Sequence, residues 1–121
     1  MGLEIYEFNG EGYKPMLDYN GWRVALVNST ERLLDKNLCK MERHLETDEV
    51  FVLISGQATL YIGKEKKKYI MELGKIYNVK CGEWHCISMS ENSKVIVVEN
   101  SDTGEKNSEY HYEEGESKCL I

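Results

Sequence analysis

The sequence predicts an all-β domain, and two observations support that prediction. Short apolar segments alternate with turn residues such as Asn20-Gly21 and Ser55-Gly56 along most of the chain. In contrast, no long segment repeats its apolar residues every ~3.6 positions, as an amphipathic helix would. With 121 residues, the chain is long enough for one domain with its own core.

The individual strands are predicted from apolar runs and from alternation between turns. In chain order they are residues 22–27, part of 33–44, 50–54, 58–62, 69–71, 76–79, 84–89 and 94–99. The first strand follows Asn20-Gly21, a dipeptide favoured in tight turns. Residues 55–57 join the two central strands into a hairpin, and the lysine-rich residues 63–68 form the next turn, which we expect to be solvated.

Composition divides the chain into three parts. Residues 1–19 are predicted to be an N-terminal strand or extension, and residues 20–100 contain the strand-rich domain. Residues 101–121 are polar, acidic and aromatic and contain few side chains to bury. We therefore expect them to be a partly ordered tail.

Charge and hydropathy restrict the partners of the protein. The formal net charge of −6 argues against a cationic surface for nucleic acid or anionic lipid. The N-terminus lacks the features of a signal peptide, and no segment approaches the ~20 apolar residues of a membrane span. We expect a cytoplasmic protein with no nucleic-acid or membrane partner. Its size also favours a homodimer that covers leftover apolar surface.

The first polar segment of interest surrounds His44 and reads ERHLETDE from Glu42 to Glu49. An apolar run and then Gly56 follow it. This segment resembles the first motif of the cupin superfamily, which has a histidine pair followed by a glutamate and a glycine. Anchored on Glu49 and Gly56, the resemblance places Glu42 and His44 at the positions of the histidine pair. Glu42 is therefore a departure from the usual pattern.

The second polar segment runs from Gly74 to His85 and reads GKIYNVKCGEWH. It is similar to the second cupin motif, and Gly74, Gly82 and His85 fall at matching positions. Lys80 stands where that motif usually has proline. The two resemblances together imply a single cupin barrel, a jelly roll or double-stranded β-helix, within residues 20–100.

The cupin resemblance further implies a divalent metal site formed by Glu42, His44, Glu49 and His85. Side chains two apart on a strand share a face, so Glu42 and His44 can reach one interior point. The odd separation of His44 and Glu49 requires a turn or bulge within residues 45–48. Two imidazoles and two carboxylates suit iron, manganese, nickel or zinc and do not select among them.

A second interpretation of the same residues needs no metal. His44 and His85 would then be hydrogen-bonded inside a barrel that holds no ion, and Glu42 would face solvent. The sequence leaves both interpretations open.

Residues that line the barrel next to the site follow from strand alternation. Phe51 and Tyr77 are predicted to point inward and are the candidates for a ligand pocket, because a tyrosine phenol can both pack and hydrogen-bond. Cys86 adjoins His85, but adjacent strand residues point to opposite faces, so a catalytic pair is not expected there.

Two functions of different classes remain. The first is a metal-dependent enzyme acting on a small polar metabolite, with no catalytic residue assigned beyond the ligands. The second is a non-catalytic barrel that binds a sugar-like small molecule with or without a metal. Because unrelated reactions occur on one fold, the fold alone does not choose between them.

Overall fold

A computed structural model describes residues 2–112 of the chain. Its strands are β1 (Gly12–Tyr19), β2 (Trp22–Asn28), β3 (Lys40–His44), β4 (Glu49–Ser55), β5 (Ala58–Ile62), β6 (Lys67–Ile70), β7 (Ile76–Val79), β8 (His85–Met89), β9 (Lys94–Asn100) and β10 (Ser108–Tyr112). Three short 3-10 helices lie at Glu31–Leu33, Asp35–Asn37 and Glu105–Asn107. None of these described helices is long and apolar enough to cross a membrane.

The strands form two five-stranded antiparallel sheets that face each other across the core. Sheet A has the order β1-β2-β9-β4-β7, and sheet B has the order β10-β3-β8-β5-β6. Neighbours in space are mostly not neighbours in sequence, because the chain passes repeatedly from one sheet to the other. This arrangement is the jelly roll that the sequence predicted, and the all-β fold class is confirmed.

The core follows the alternation of the strands. Along β9, Val95, Val97 and Glu99 are buried while the residues between them are more exposed. Along β4, Phe51 and Leu53 are buried in the same way. Each fully buried valine side chain contributes on the order of 1.5–3 kcal/mol to stability. The same alternation along β9 places Glu99 on the inner face of the strand, next to the apolar core.

The strand expected within residues 33–44 occupies only their last five positions. Two 3-10 turns precede β3, and their backbone hydrogen bonds run from Leu33 N–H to Thr30 O at 2.9 Å and from Asn37 N–H to Leu34 O at 2.9 Å. The Asn37 side chain also donates to the carbonyl of Glu31 at 2.8 Å. These local bonds satisfy backbone groups that a strand would have paired, so only residues 40–44 enter the sheet.

Strands of the two sheets also lie outside residues 20–100. Residues 108–112 were predicted to belong to the polar tail, but they form β10 and pair with all of β3, from Ser108 opposite His44 to Tyr112 opposite Lys40. Within the N-terminal part, β1 pairs with β2 and belongs to sheet A. The remainder of the predicted tail, residues 113–121, lies outside the described residues. The division into domains stays a prediction.

Gly56 allows a close approach between two loops and provides a test of the fold. Its φ is +79°, and a Cβ added there would lie 2.3 Å from Ser93 Oγ and 2.7 Å from Ser93 Cα. Gly74 has nearly the same φ, +78°, but a Cβ there would meet no atom within 4 Å. Comparison of alanine substitutions at the two glycines therefore separates the cost of backbone strain from that of steric overlap.

We predict that Gly74→Ala lowers the free energy of unfolding by about 1–2 kcal/mol, the cost of left-handed backbone for an L-residue. Gly56→Ala should lower it by at least about 1 kcal/mol more, because the loop containing Ser93 must also move. Urea unfolding of both variants measures the difference. Equal losses would show that the contact between Gly56 and Ser93 is not tight in solution.

Candidate metal centre

The two sheets bring together the four residues that the cupin resemblance indicated. Glu42 and His44 come from β3 and His85 from β8 of sheet B, whereas Glu49 begins β4 of sheet A. Glu42 and His85 are direct partners in the β3-β8 ladder. One potential ligand atom from each residue lies within 4.8 Å of the others. The fold thus brings two separate sequence segments together, and their four side chains form one compact donor cluster.

The segment between His44 and Glu49 explains how residues of odd separation can face each other. Residues 45–48 carry the chain from sheet B to sheet A, so the two side chains approach from opposite sheets. Asp48 fixes this crossover by accepting hydrogen bonds from Cys81 N–H at 2.7 Å and from the Asn78 side chain at 3.0 Å. The Gly82 N–H also donates to His44 O at 2.7 Å, which ties the two sequence motifs together.

Glu49 is the centre of the cluster. Its Oε1 lies 3.0 Å from His44 Nε2 and 2.9 Å from His85 Nε2. Burial disfavours ionisation of this carboxyl, but hydrogen bonds with the two imidazoles outweigh burial and lower the Glu49 pKa. Burial likewise disfavours protonation of His44 and His85, yet their bonds to Glu49 raise the pKa of each imidazole. The carboxylate is therefore held ionised inside the barrel.

The other ring nitrogen of each histidine is held by a second partner. His85 Nδ1 lies 3.0 Å from the backbone carbonyl oxygen of Glu83, and His44 Nδ1 lies 2.7 Å from Ser108 Oγ. A carbonyl oxygen only accepts, so His85 Nδ1 must carry a hydrogen. A neutral His85 then points the lone pair of Nε2 at the Glu49 carboxylate. Such a pair of facing acceptors needs either an added proton or a cation between them.

The donor set fits a divalent ion on two counts. Glu42 and Glu49 supply two negative charges beside two imidazoles, which one divalent cation balances. Two donors at right angles around an ion with bonds of about 2.1 Å are separated by about 3.0 Å. The Glu49 oxygen meets this spacing with both imidazole nitrogens. Histidine ligands oriented through their second nitrogen are also typical of metal sites.

Glu42 takes a looser position than the other three residues. Its Oε1 lies 3.7 Å from His44 Nε2 and 3.9 Å from His85 Nε2, beyond hydrogen-bond distance. Its side chain is 35% exposed, whereas that of Glu49 is 8% exposed. Glu42 is therefore the most exposed and most distant member of the cluster.

A cavity of about 370 Å³ adjoins the cluster between the two sheets. Phe51 lines it, and the Phe51 ring meets the His85 ring edge-on at a centroid distance of 5.9 Å. Tyr77 is not brought to this cavity. It lines a separate cavity on β7, where its hydroxyl accepts a hydrogen bond from Glu72 N–H at 2.9 Å. Tyr77 lies directly opposite Phe51 in the β4-β7 ladder, but β7 is the edge strand of sheet A, and Tyr77 lines the cavity at that edge.

The sequence neighbours of His85, Trp84 and Cys86, are not among the clustered donors of the described residues. Cys86 lines a neighbouring cavity, and burial raises the pKa of its thiol to about 11. Trp84 lies against Arg43, whose guanidinium carbon is 4.7 Å from the indole ring centroid. His111 packs against the same indole at 6.0 Å and is not among the clustered ligands.

A second buried carboxylate that the sequence did not single out lies beside the cluster. Glu99 Oε2 accepts hydrogen bonds from Tyr13 Oη at 2.6 Å and from Arg23 Nη2 at 2.8 Å. Burial and the neighbouring Glu49 carboxylate raise the Glu99 pKa, while Tyr13 and Arg23 favour its ionised form. Alternation from Val95 through Val97 was the available signal for Glu99. No sequence pattern indicated Tyr13 or Arg23.

Solved structures that resemble this chain have the cupin fold. A cupin-2 domain protein from Shewanella frigidimarina matches with a TM-score of 0.55 and 20% identity, covering 75% of this chain and 82% of its own. A Streptomyces Pac13 variant with uridine matches with a TM-score of 0.63 and 12% identity, covering 92% and 88%. KdgF from Halomonas sp. matches with a TM-score of 0.58 and 14% identity, covering 75% and 80%.

No protein-family model matches the sequence, and no curated protein does. The likeness therefore lies in the backbone, and at these identities it shows the fold alone. The chain has the cupin fold, as its two motifs implied.

The hydrogen bond between Ser108 and His44 provides a test of the donor cluster. If His44 is a metal ligand, Ser108→Ala removes the partner that orients its ring and should weaken metal affinity about 10- to 100-fold. Ser55→Ala, at an exposed position lining a different cavity, is the matched control. Titration of the metal-free proteins with metal ion in the presence of a competing chelator measures the metal affinity of both variants. Equal affinity in the two variants would contradict a role of Ser108 in holding the His44 ring.

Proposed function

We propose that Glu42, His44, Glu49 and His85 bind one divalent metal ion. The observation that supports this most strongly is the position of Glu49 Oε1, which faces two imidazole nitrogens at 3.0 and 2.9 Å. Because His85 Nδ1 is committed to the Glu83 carbonyl, its Nε2 is free to act as a ligand. The ion is iron, manganese, nickel or zinc, since mixed nitrogen and oxygen donors suit all four.

We further propose that the protein is a metal-dependent enzyme acting on a small polar metabolite. A bound divalent ion supplies Lewis-acid chemistry, which polarises a carbonyl or lowers the pKa of a coordinated group. The cavity of about 370 Å³ suits a molecule of metabolite size. Among proteins of this fold, Pac13 is described as a nucleoside dehydratase and has been seen with uridine.

The alternative is a metal-free barrel that binds a small molecule without turnover. One specific observation favours it, because both Nε2 atoms already have a hydrogen-bond partner in Glu49. Protonated imidazoles would satisfy the cluster without an ion. Metal content is the property that distinguishes this alternative from the metal-dependent enzyme.

The metal proposal predicts a graded series among substitutions at the cluster. His44→Ala and His85→Ala should each abolish metal binding, because each removes a buried nitrogen donor. Glu42→Ala should weaken binding less, since Glu42 is the most exposed and most distant donor. Elemental analysis after chelation and reconstitution, on protein purified without a metal-binding tag, measures the series.

His111→Ala is the matched control for the histidine variants, because His111 is exposed and packs against Trp84 outside the cluster. It should retain wild-type metal content. Undiminished metal in folded His85→Ala protein would reject the site. Absence of metal from all variants and from the wild type would favour the metal-free binding barrel.

Three expectations about the whole protein stay predictions. A cytoplasmic location and the absence of nucleic-acid or membrane partners follow from sequence composition alone. A homodimer is also expected, and the exposed side chains of Ile70, Leu73 and Ile76 are apolar surface that a second copy could cover. Sedimentation of the purified protein would test the dimer.

A further inference from the structure

Two cationic side chains line the cavity that adjoins the donor cluster. Arg32 projects from the short helix Glu31–Leu33, and Lys40 begins β3. Within residues 2–112, neither side chain forms a hydrogen bond or an ion pair. Lys40 Nζ instead lies 4.6 Å from the centroid of the Tyr110 ring, a cation-π contact that leaves its donors available.

The third cation of the cavity shows the contrast. Arg23 donates to Glu99 at 2.8 Å and to the carbonyl oxygens of Ser101 and Thr103, each at 3.0 Å. Its guanidinium is therefore occupied in holding Glu99. Arg32 and Lys40 are the cavity cations whose donors remain for a ligand.

The position of Lys40 relates these cations to the metal cluster. Lys40 and Glu42 are two residues apart on β3, so their side chains share a face and their Cα atoms are separated by roughly 6.8 Å. Half-buried Leu33 and Ile87 line the cavity together with Arg32 and Lys40. A short molecule with a charged group at one end and a donor oxygen at the other can thus extend from Lys40 to the cluster.

Local charge decides which group the two cations would take. Without an ion, the two carboxylates of the cluster oppose the binding of an anion nearby. A divalent ion cancels those two charges and leaves Arg32 and Lys40 as the net charge of this part of the cavity. Arginine and lysine beside one another form charge-assisted hydrogen bonds with carboxylates and phosphates.

We propose that the substrate is a small anion whose carboxylate or phosphate binds Arg32 and Lys40 while its other end reaches the metal ion. This inference rests on the proposed metal centre and adds a substrate class to it. It does not concern the chemistry of the ion, because the two cations touch none of the four ligands in a hydrogen bond or ion pair.

The test uses three probes of similar size on the full chain reconstituted with Mn²⁺. Glycerate carries a carboxylate, glycerol 3-phosphate a phosphate, and glycerol neither. Calorimetric titration measures their affinities for the wild type and for Arg32→Met and Lys40→Met, which keep an apolar stem and remove the charge. Lys36→Met, at an exposed position on the adjacent turn and outside the cavity, is the matched control.

At least one anion should bind about tenfold more tightly than glycerol, and Arg32→Met and Lys40→Met should each lower its affinity about tenfold. Glycerol affinity, Mn²⁺ affinity and the Lys36→Met protein should be unchanged. The stronger of the two anions identifies carboxylate or phosphate as the preferred group. Thermal unfolding confirms that each variant is folded.

Two outcomes separate failure of this inference from failure of the metal proposal. If Mn²⁺ binds but the anions bind no better than glycerol, or equally well in all variants, the anionic substrate class is rejected and the metal centre stands. If no metal is taken up, the same titrations are made on the metal-free protein. Anion affinity that still depends on Arg32 and Lys40 supports their role, and its absence rejects both proposals.

Discussion

The candidate site depends on one interaction, the approach of the Glu49 carboxylate from sheet A to two imidazoles of sheet B. This contact requires that the two sheets pack with β4 facing β3 and β8. It also requires that residues 45–48 cross between the sheets with the correct length. The Asp48 carboxylate fixes that crossing by accepting from Cys81 N–H, and Gly82 N–H donates to the backbone oxygen of His44, so polar contacts outside the cluster set its geometry.

A buried carboxylate imposes a cost that the surroundings must offset. An unpaired buried carboxylate would cost several kcal/mol, and both Glu49 and Glu99 lie inside the barrel. Glu99 is offset by Tyr13 and Arg23, which come from β1 and β2. Glu49 has imidazoles instead of a permanent cation. At the proposed metal site, an ion would replace the protons that the imidazoles share with Glu49, whereas Glu99 is held by the fixed partners Tyr13 and Arg23.

Much of the fold could be predicted from the sequence, because strand alternation and turn residues are local signals. The strands β2, β4, β5 and β7 lie within a residue or two of their expected positions. The two motifs also identified the four clustered side chains.

In contrast, residues 108–112 pair with β3 although their composition resembles a tail, since pairing to an open edge depends on a distant strand. Ser108, Tyr13 and Arg23 join the site through such tertiary contacts and left no local signal. Tyr77 shows the converse limit, because alternation gave its inner face while its distance from the cluster depended on the barrel as a whole.

Anomalous diffraction from crystals soaked with Mn²⁺ would test the central claim most directly. We predict one strong peak between the sheets, about 2.0–2.2 Å from His44 Nε2, His85 Nε2 and a Glu49 oxygen. A weaker or absent contact with Glu42 would show that three residues suffice. A peak only at surface carboxylates, with the Glu49 oxygen still hydrogen-bonded to both imidazoles, would contradict the metal centre.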